Sequence, residues 1–155
     1  MIRVVNVRGL RRDDRKDVCY VGRASVGWPK NPWGNPFRVG DLSPNNFNVK
    51  LDREHALQLF RDFCESKEEG GTLHPWLSEL WEACGHGGKP LGCWCVNATH
   101  GDGSPIVCHA QILAELLVKF YFCLDCGRKV TQASVAYFEF DDFGVPTCVK
   151  CHEKE

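Results

Sequence analysis

The residues best suited to chemistry are ten cysteines and six histidines in 155 positions, several at metal-ligand spacing. Cys123-x-x-Cys126 and Cys148-x-x-Cys151 form two CxxC turns separated by residues 127–147. Each turn brings two sulfurs onto one ion, and four thiolates complete the tetrahedron that Zn²⁺ prefers. The spacer slightly exceeds the ~15–20 residues usual for this pattern, which a loop insertion accommodates. The alternating stretch ASVAYFEF and the DDFG turn supply a hairpin to carry the turns, as in a zinc ribbon. His152 reads as an exposed neighbour of the last turn. So short a fragment buries too little apolar area to fold alone, so zinc is expected to be its main source of stability. Such a closed site is structural, and it suits docking to nucleic acid or to protein.

A second set comprises Cys93 and Cys95 in PLGCWC and the pair Cys108 and His109 that opens CHAQIL. Read as a buried strand, PLGCWC places both cysteine side chains on one face and Trp94 on the other. Cys108 and His109 stand where a helix begins, and the free N–H groups there favour a thiolate. Three readings follow. Three sulfurs and an imidazole hold a metal; or Cys108 is a catalytic or redox thiol with His109 beside it; or the four are small buried residues at a strand–helix junction. His100, in THGDG, is a reserve ligand.

Three helices are expected to position these groups. From Asp52 as N-cap, REHALQLFRDFC puts Ala56, Leu57, Phe60, Phe63 and Cys64 on one face. HPWLSELWEAC, with Pro75 in its first turn, lines up Leu77, Leu80, Trp81 and Cys84. CHAQILAELLVKF faces a core with Ile112, Leu113, Leu116, Leu117 and Phe120. Before them, IRVVNV and DVCYVG read as an early strand pair across a polar turn. The segment 27–40, GWPKNPWGNPFRVG, holds three prolines and three glycines and excludes regular structure, while its aromatic residues favour an ordered loop. The expected class is α/β (α+β): a small mixed sheet with about three helices over residues 1–120, followed by a four-cysteine, zinc-ribbon-like unit over 121–155. Cys19, Cys64 and Cys84 are read as core residues.

The net charge is −1, yet residues 1–40 hold nine Lys/Arg against three Asp/Glu. That basic quarter can attract a phosphate locally, without the overall basicity of a protein that grips duplex DNA. No stretch is apolar enough to span a membrane, and the charged N-terminal residues lack a secretory pattern, so a cytoplasmic, reducing setting is expected. There, paired cysteines read as metal ligands. The absence of GxxxxGK[ST], HExxH and GxSxG disfavours P-loop, zincin and α/β-hydrolase chemistry.

The combination of WGNPF, the REHALQLF helix, GCWC and CHAQIL resembles a phage and bacterial family, domain of unknown function 4326, over about residues 2–118. The chain departs from it by roughly half a dozen extra residues between GCWC and CHAQIL and by the terminal cysteine unit. The resemblance implies a small α/β domain in which Arg23, Trp33, Asn35, Phe37, Cys93, Cys95, Cys108 and His109 share one site. Arg23 would then face a phosphate, and Trp28 or Trp33 would stack on a base. Two functions compete: an enzyme or binder acting on a nucleotide or nucleic acid, and a non-enzymatic zinc adaptor for a protein partner. Neither Glu54 nor Asp102 has the spacing of a general base.

Overall fold

A computed structural model describes residues 2–96, 103, 107–123, 126–130, 138–140, 142 and 145–148. It is a mixed α/β structure with a small sheet. Strands β1 (Val4–Asn6) and β2 (Cys19–Tyr20) both pair in parallel with β5 (Leu91–Cys93), giving the order β1-β5-β2. The expected early strand pair is therefore corrected: IRVVNV and DVCYVG do not pair with each other but flank a strand much later in the chain, with Val4 and Cys19 both opposite Leu91. Parallel neighbours need a long crossover, and the connection from β2 to β5 contains the loop and two helices. The polar segment between β1 and β2 is itself a 3-10 helix, Arg12–Asp17.

The sheet is covered on both faces, as parallel sheets are. Alternation along β2 and its flanks sends Cys19 and Val21 into the main core and Val18 and Tyr20 into a smaller cluster with Val7 and Trp28. Central Gly92 lies where a Cβ would collide with Val18 Cγ1 and Val7 Cγ1, so the first residue of GCWC is fixed by the closeness of the neighbouring side chains.

The three helices form where expected: α1 (Arg53–Glu69), α2 (Leu73–Ala83) and α3 (His109–Tyr121). Asp52 caps α1 by accepting from His55 N at 2.8 Å. Ala56, Phe60 and Cys64 of α1 and Ile112, Leu113, Leu117 and Phe120 of α3 are buried, with Leu57, Phe63 and Leu116 at the margin. Among the described residues, Phe60, Leu77, Leu80, Leu91, Leu113 and Leu117 are the largest apolar side chains fully removed from water. Helix α3 packs on β5 and β1 and meets α1 and α2. Burial lifts the Cys19 and Cys64 thiols to about 11 and raises Cys84 as well, in keeping with a core role.

Two antiparallel pairs lie outside the main sheet. Strands β3 (Leu42–Ser43) and β4 (Asn46–Lys50) make a hairpin whose second strand is exposed throughout. Strands β6 (Phe138–Phe140) and β7 (Pro146–Cys148) pair with Phe138 opposite Cys148. Val145, just before β7, is buried in the main core, which also holds Trp81 and Phe122. No helix among the described residues is long and apolar enough to cross a membrane.

Candidate metal centre and adjoining pocket

The donors of Cys93, Cys95, Cys108 and His109 all lie within 4.8 Å of one another. Cys95 Sγ is 3.3 Å from Cys93 Sγ and 3.4 Å from Cys108 Sγ, and His109 Nδ1 is 3.8 Å from both Cys93 Sγ and Cys108 Sγ. Those sulfurs are well beyond the ~2.05 Å of a disulfide. They are close to the ~3.8 Å edge of a tetrahedron built on Zn–S bonds of ~2.3 Å. The four residues could hold a metal ion.

Each donor arrives by a different route. Cys93 ends β5, whereas Cys95 lies in a turn, so the expected continuous strand PLGCWC is corrected: a turn, and not strand alternation, returns Cys95 towards Cys93. Asn6 holds that turn, its Nδ2 donating to Val96 O and, at 3.4 Å, to Trp94 O. Cys108 precedes α3 with extended backbone (φ −112°, ψ 146°), and its N–H donates to Gln111 Oε1 at 2.6 Å. The change from extended to helical backbone lets two consecutive residues, Cys108 and His109, converge on one point. His109 Nε2 donates to Val21 O at 2.7 Å. A carbonyl only accepts, so a neutral imidazole there keeps its lone pair on Nδ1, facing the sulfurs. This is how a ligating histidine is usually oriented from outside the coordination sphere.

The sulfurs of the cluster are electrostatically linked. Hydrogen bonds from Cys108 and then Cys95 pull the Cys93 thiol far below its ordinary range, while the same network of sulfurs pushes Cys108 up. The start of α3 favours a thiolate at Cys108, and the adjoining sulfurs oppose it, so the cluster shares its negative charge among hydrogen-bonded sulfurs. Burial works against protonating His109, but hydrogen bonds with Cys93 and Cys95 prevail and hold it up at about 9. Metal binding would displace these protons.

Cys93, Cys108 and His109 are buried and Cys95 is half-buried. The cluster forms one wall of a pocket of about 240 Å³. Arg23, Asn35 and Phe37 line the same pocket. Arg23 Nε donates to Asn35 O at 2.8 Å and its Nη2 to Phe37 O, so much of this guanidinium holds the WGNPF backbone in place. Asn35 accepts from Phe37 N at 2.9 Å and donates to Ala56 O at 3.2 Å, tying the loop to α1. Trp28 and Trp33 lie elsewhere, along a second groove. Trp28 stacks on Tyr20 at 4.6 Å, and Trp33 Nε1 donates to Trp76 O at 3.3 Å.

Two residues lining the pocket, Trp94 and Arg53, escape the sequence reading. Trp94 is 39% exposed and donates from Nε1 to Ser25 Oγ at 3.2 Å. Its place inside GCWC is the available signal, and a continuous strand there would turn it away from the site. Arg53 opens α1 directly after the cap. The supporting carbonyl of Val21 carries no side-chain signature.

Cys123, Cys126 and Cys148 form a second group with donors within 4.8 Å of one another, which could also hold a metal. Cys126 Sγ is 3.5 Å from Cys148 Sγ, and Cys148 N donates to Cys123 Sγ at 3.4 Å. Gly127, at φ +66°, turns the chain so that its N–H reaches Cys123 O at 2.8 Å. Cys151, expected as fourth ligand, and the reserve candidate His100 lie outside the described residues, as does Asp102.

No curated protein and no solved structure matches the chain. The family model of a domain of unknown function, DUF4326, matches residues 5–119, from β1 into α3 and across the whole inner cluster, and the chain belongs to that family.

Proposed function

We propose that this is a zinc-binding protein whose inner Cys93, Cys95, Cys108, His109 site is a closed structural tetrahedron supporting a pocket for a nucleotide or a nucleic-acid strand. The carrying observation is the convergence of three sulfurs and a correctly oriented imidazole from β5, the following turn and α3. Soft thiolates with one imidazole suit zinc, and four protein ligands leave no position for an activated water. Binding is therefore favoured over metal-assisted hydrolysis. The pocket joins two guanidinium side chains, Arg23 and Arg53, to the aromatic groups of Phe37 and Trp94, a combination suited to phosphate and base. Residues 121–155 form a second zinc-held unit, with Cys151 completing a four-cysteine site, in a protein of the bacterial or phage-infected cytoplasm.

The closed inner site also supports a second reading, a zinc adaptor that binds a protein partner without catalysis. Metal analysis of purified protein tests the shared part: two zincs are expected, falling to one in Cys93→Ala/Cys108→Ala and to one in Cys123→Ala/Cys126→Ala. A single zinc unaffected by the first pair of substitutions sinks the inner site. Titration with mononucleotides and a thymidine oligonucleotide then separates the readings. Binding weakened by Arg53→Gln and Trp94→Ala supports the pocket, and no binding by the zinc-loaded protein leaves the adaptor.

A further inference from the structure

The groove containing Trp28 and Trp33 is distinct from the metal-lined pocket and has an unusual chemical balance. It encloses about 490 Å³ between the 3-10 helix, β2 and the first half of the proline-rich loop. Among the described residues, Arg15 and Lys30 are the charged groups lining it, and no carboxylate does. Trp28 is only 6% exposed, yet its Nε1 is buried without a hydrogen-bond partner, and so is Arg15 Nε. Buried donors are nearly always paired, because an unmade bond costs ~1–3 kcal/mol.

The surrounding groups do not answer these donors. The Trp28 ring stacks on Tyr20, the Arg15 guanidinium lies 5.2 Å from the ring centroid, and Arg15 Nη1 donates to Gly27 O at 3.3 Å. Gly27 is required for that approach: its φ is +79°, and a Cβ there would collide with Arg15 Nη1. Asn31 and Trp33 are satisfied by Gly22 O and Trp76 O. What the lining side chains leave over is two N–H donors and two cations, with no carboxylate to answer them.

We infer that this groove is a phosphate site, in which a phosphoryl oxygen accepts from Trp28 Nε1 and Arg15 Nε while Lys30 adds charge from the rim. The ring faces of Trp28 are engaged by its neighbours, so it serves through its N–H and not as a base-stacking platform. Both donor atoms are buried, so a small shift of the Arg15 side chain that keeps its Nε turned to the groove admits the ligand. The phosphoryl group is either that of a small phosphate or that of a polynucleotide backbone.

The five tryptophan indole N–H signals of the zinc-loaded full chain report on this directly by NMR. Sodium phosphate, adenosine monophosphate and a thymidine oligonucleotide are titrated against a chloride control of equal ionic strength. The Trp28 signal, assigned with Trp28→Phe, is expected to move saturably with phosphate-bearing ligands and not with chloride. Lys30→Gln, an exposed change that leaves the packing intact, and Arg15→Gln should each weaken the response by roughly tenfold, as loss of a charge-assisted bond predicts. Saturation by inorganic phosphate with no gain from the oligonucleotide identifies a small ligand; much tighter response to the oligonucleotide identifies the polynucleotide. A Trp28 signal unmoved in all three titrations, or a shift undiminished in both variants, overturns the proposal. The Trp94 signal reports independently on the metal-lined pocket.

Discussion

The two cysteine clusters use similar donors in opposite settings. The inner one closes over the main core, where Leu91, Leu113, Phe60 and Val21 are buried by apolar packing. Among the described residues, Cys123 and Cys148 of the terminal one pack with Val130 in a small cluster separate from the main core. A metal in the first setting would adjust geometry that burial already supports. In the second it would stand in for the hydrophobic core that so short a segment cannot build.

The sharpest way to break this contrast is removal of the terminal cluster. Structural zinc contributes ~10–16 kcal/mol in small metal-held peptides, so Cys148→Ala should release β6 and β7 entirely. Hydrogen exchange would then show their amides unprotected while α1, α2 and α3 stay protected. Persistent protection in β7 would mean that Val145, in the main core, suffices to hold it.

Next in size is the inner cluster. Cys93→Ala/Cys108→Ala should lower thermal stability by ~3 kcal/mol, about 10 °C for a chain of this length, while leaving helical circular dichroism nearly unchanged. Collapse of the helical signal would show that the inner metal organises the core as well.

Gly92→Ala probes packing without touching a ligand. Forcing a methyl group against Val7 and Val18 should cost ~1–3 kcal/mol, read as a lower denaturant midpoint, with both zincs retained. Loss of one zinc would mean that strand spacing, and not just sulfur chemistry, sets the inner site.

A last effect is alkaline and appears only outside the ordinary pH range. The folded pKa values of Cys19 and Cys64 are raised, so burial of these thiols costs nothing below the ordinary value of 9.0, and stability is lost as pH rises from there through about 11. Melting temperature should therefore decline over that window, and less steeply in Cys64→Ala. At mild pH, alkylation of native protein should spare both thiols. Rapid modification would place them nearer the surface than the core.

What the sequence discloses follows from the range of the interactions. The helices are legible because periodic residues such as Ala56, Phe60 and Cys64 record burial locally, and Asp52 announces its own helix. The two groups that could hold a metal are legible because thiols at short spacing are chemically distinctive. Strand order is not: β1, β2 and β5 span only two or three residues each, and their partners are set by the crossover. The segment 46–50 does alternate, but between exposed positions, and its Asn- and Pro-rich surroundings conceal it. Arg23 looks like a free cation because the carbonyls it holds, those of Asn35 and Phe37, have no sequence signature. Trp94 is misplaced by the sequence because a turn begins where its neighbours still resemble a strand.

The bond from His109 to the Val21 carbonyl extends the reach of the inner site to the end of β2. An ion there would act as a staple across one end of the parallel sheet, joining segments nearly ninety positions apart. In a reducing compartment a disulfide in that place would be undone, whereas thiolates around zinc would be kept competent. Fastening of this kind responds to competition for metal, so the ordering of residues 22–25 and the loop they lead into would rise and fall with zinc supply.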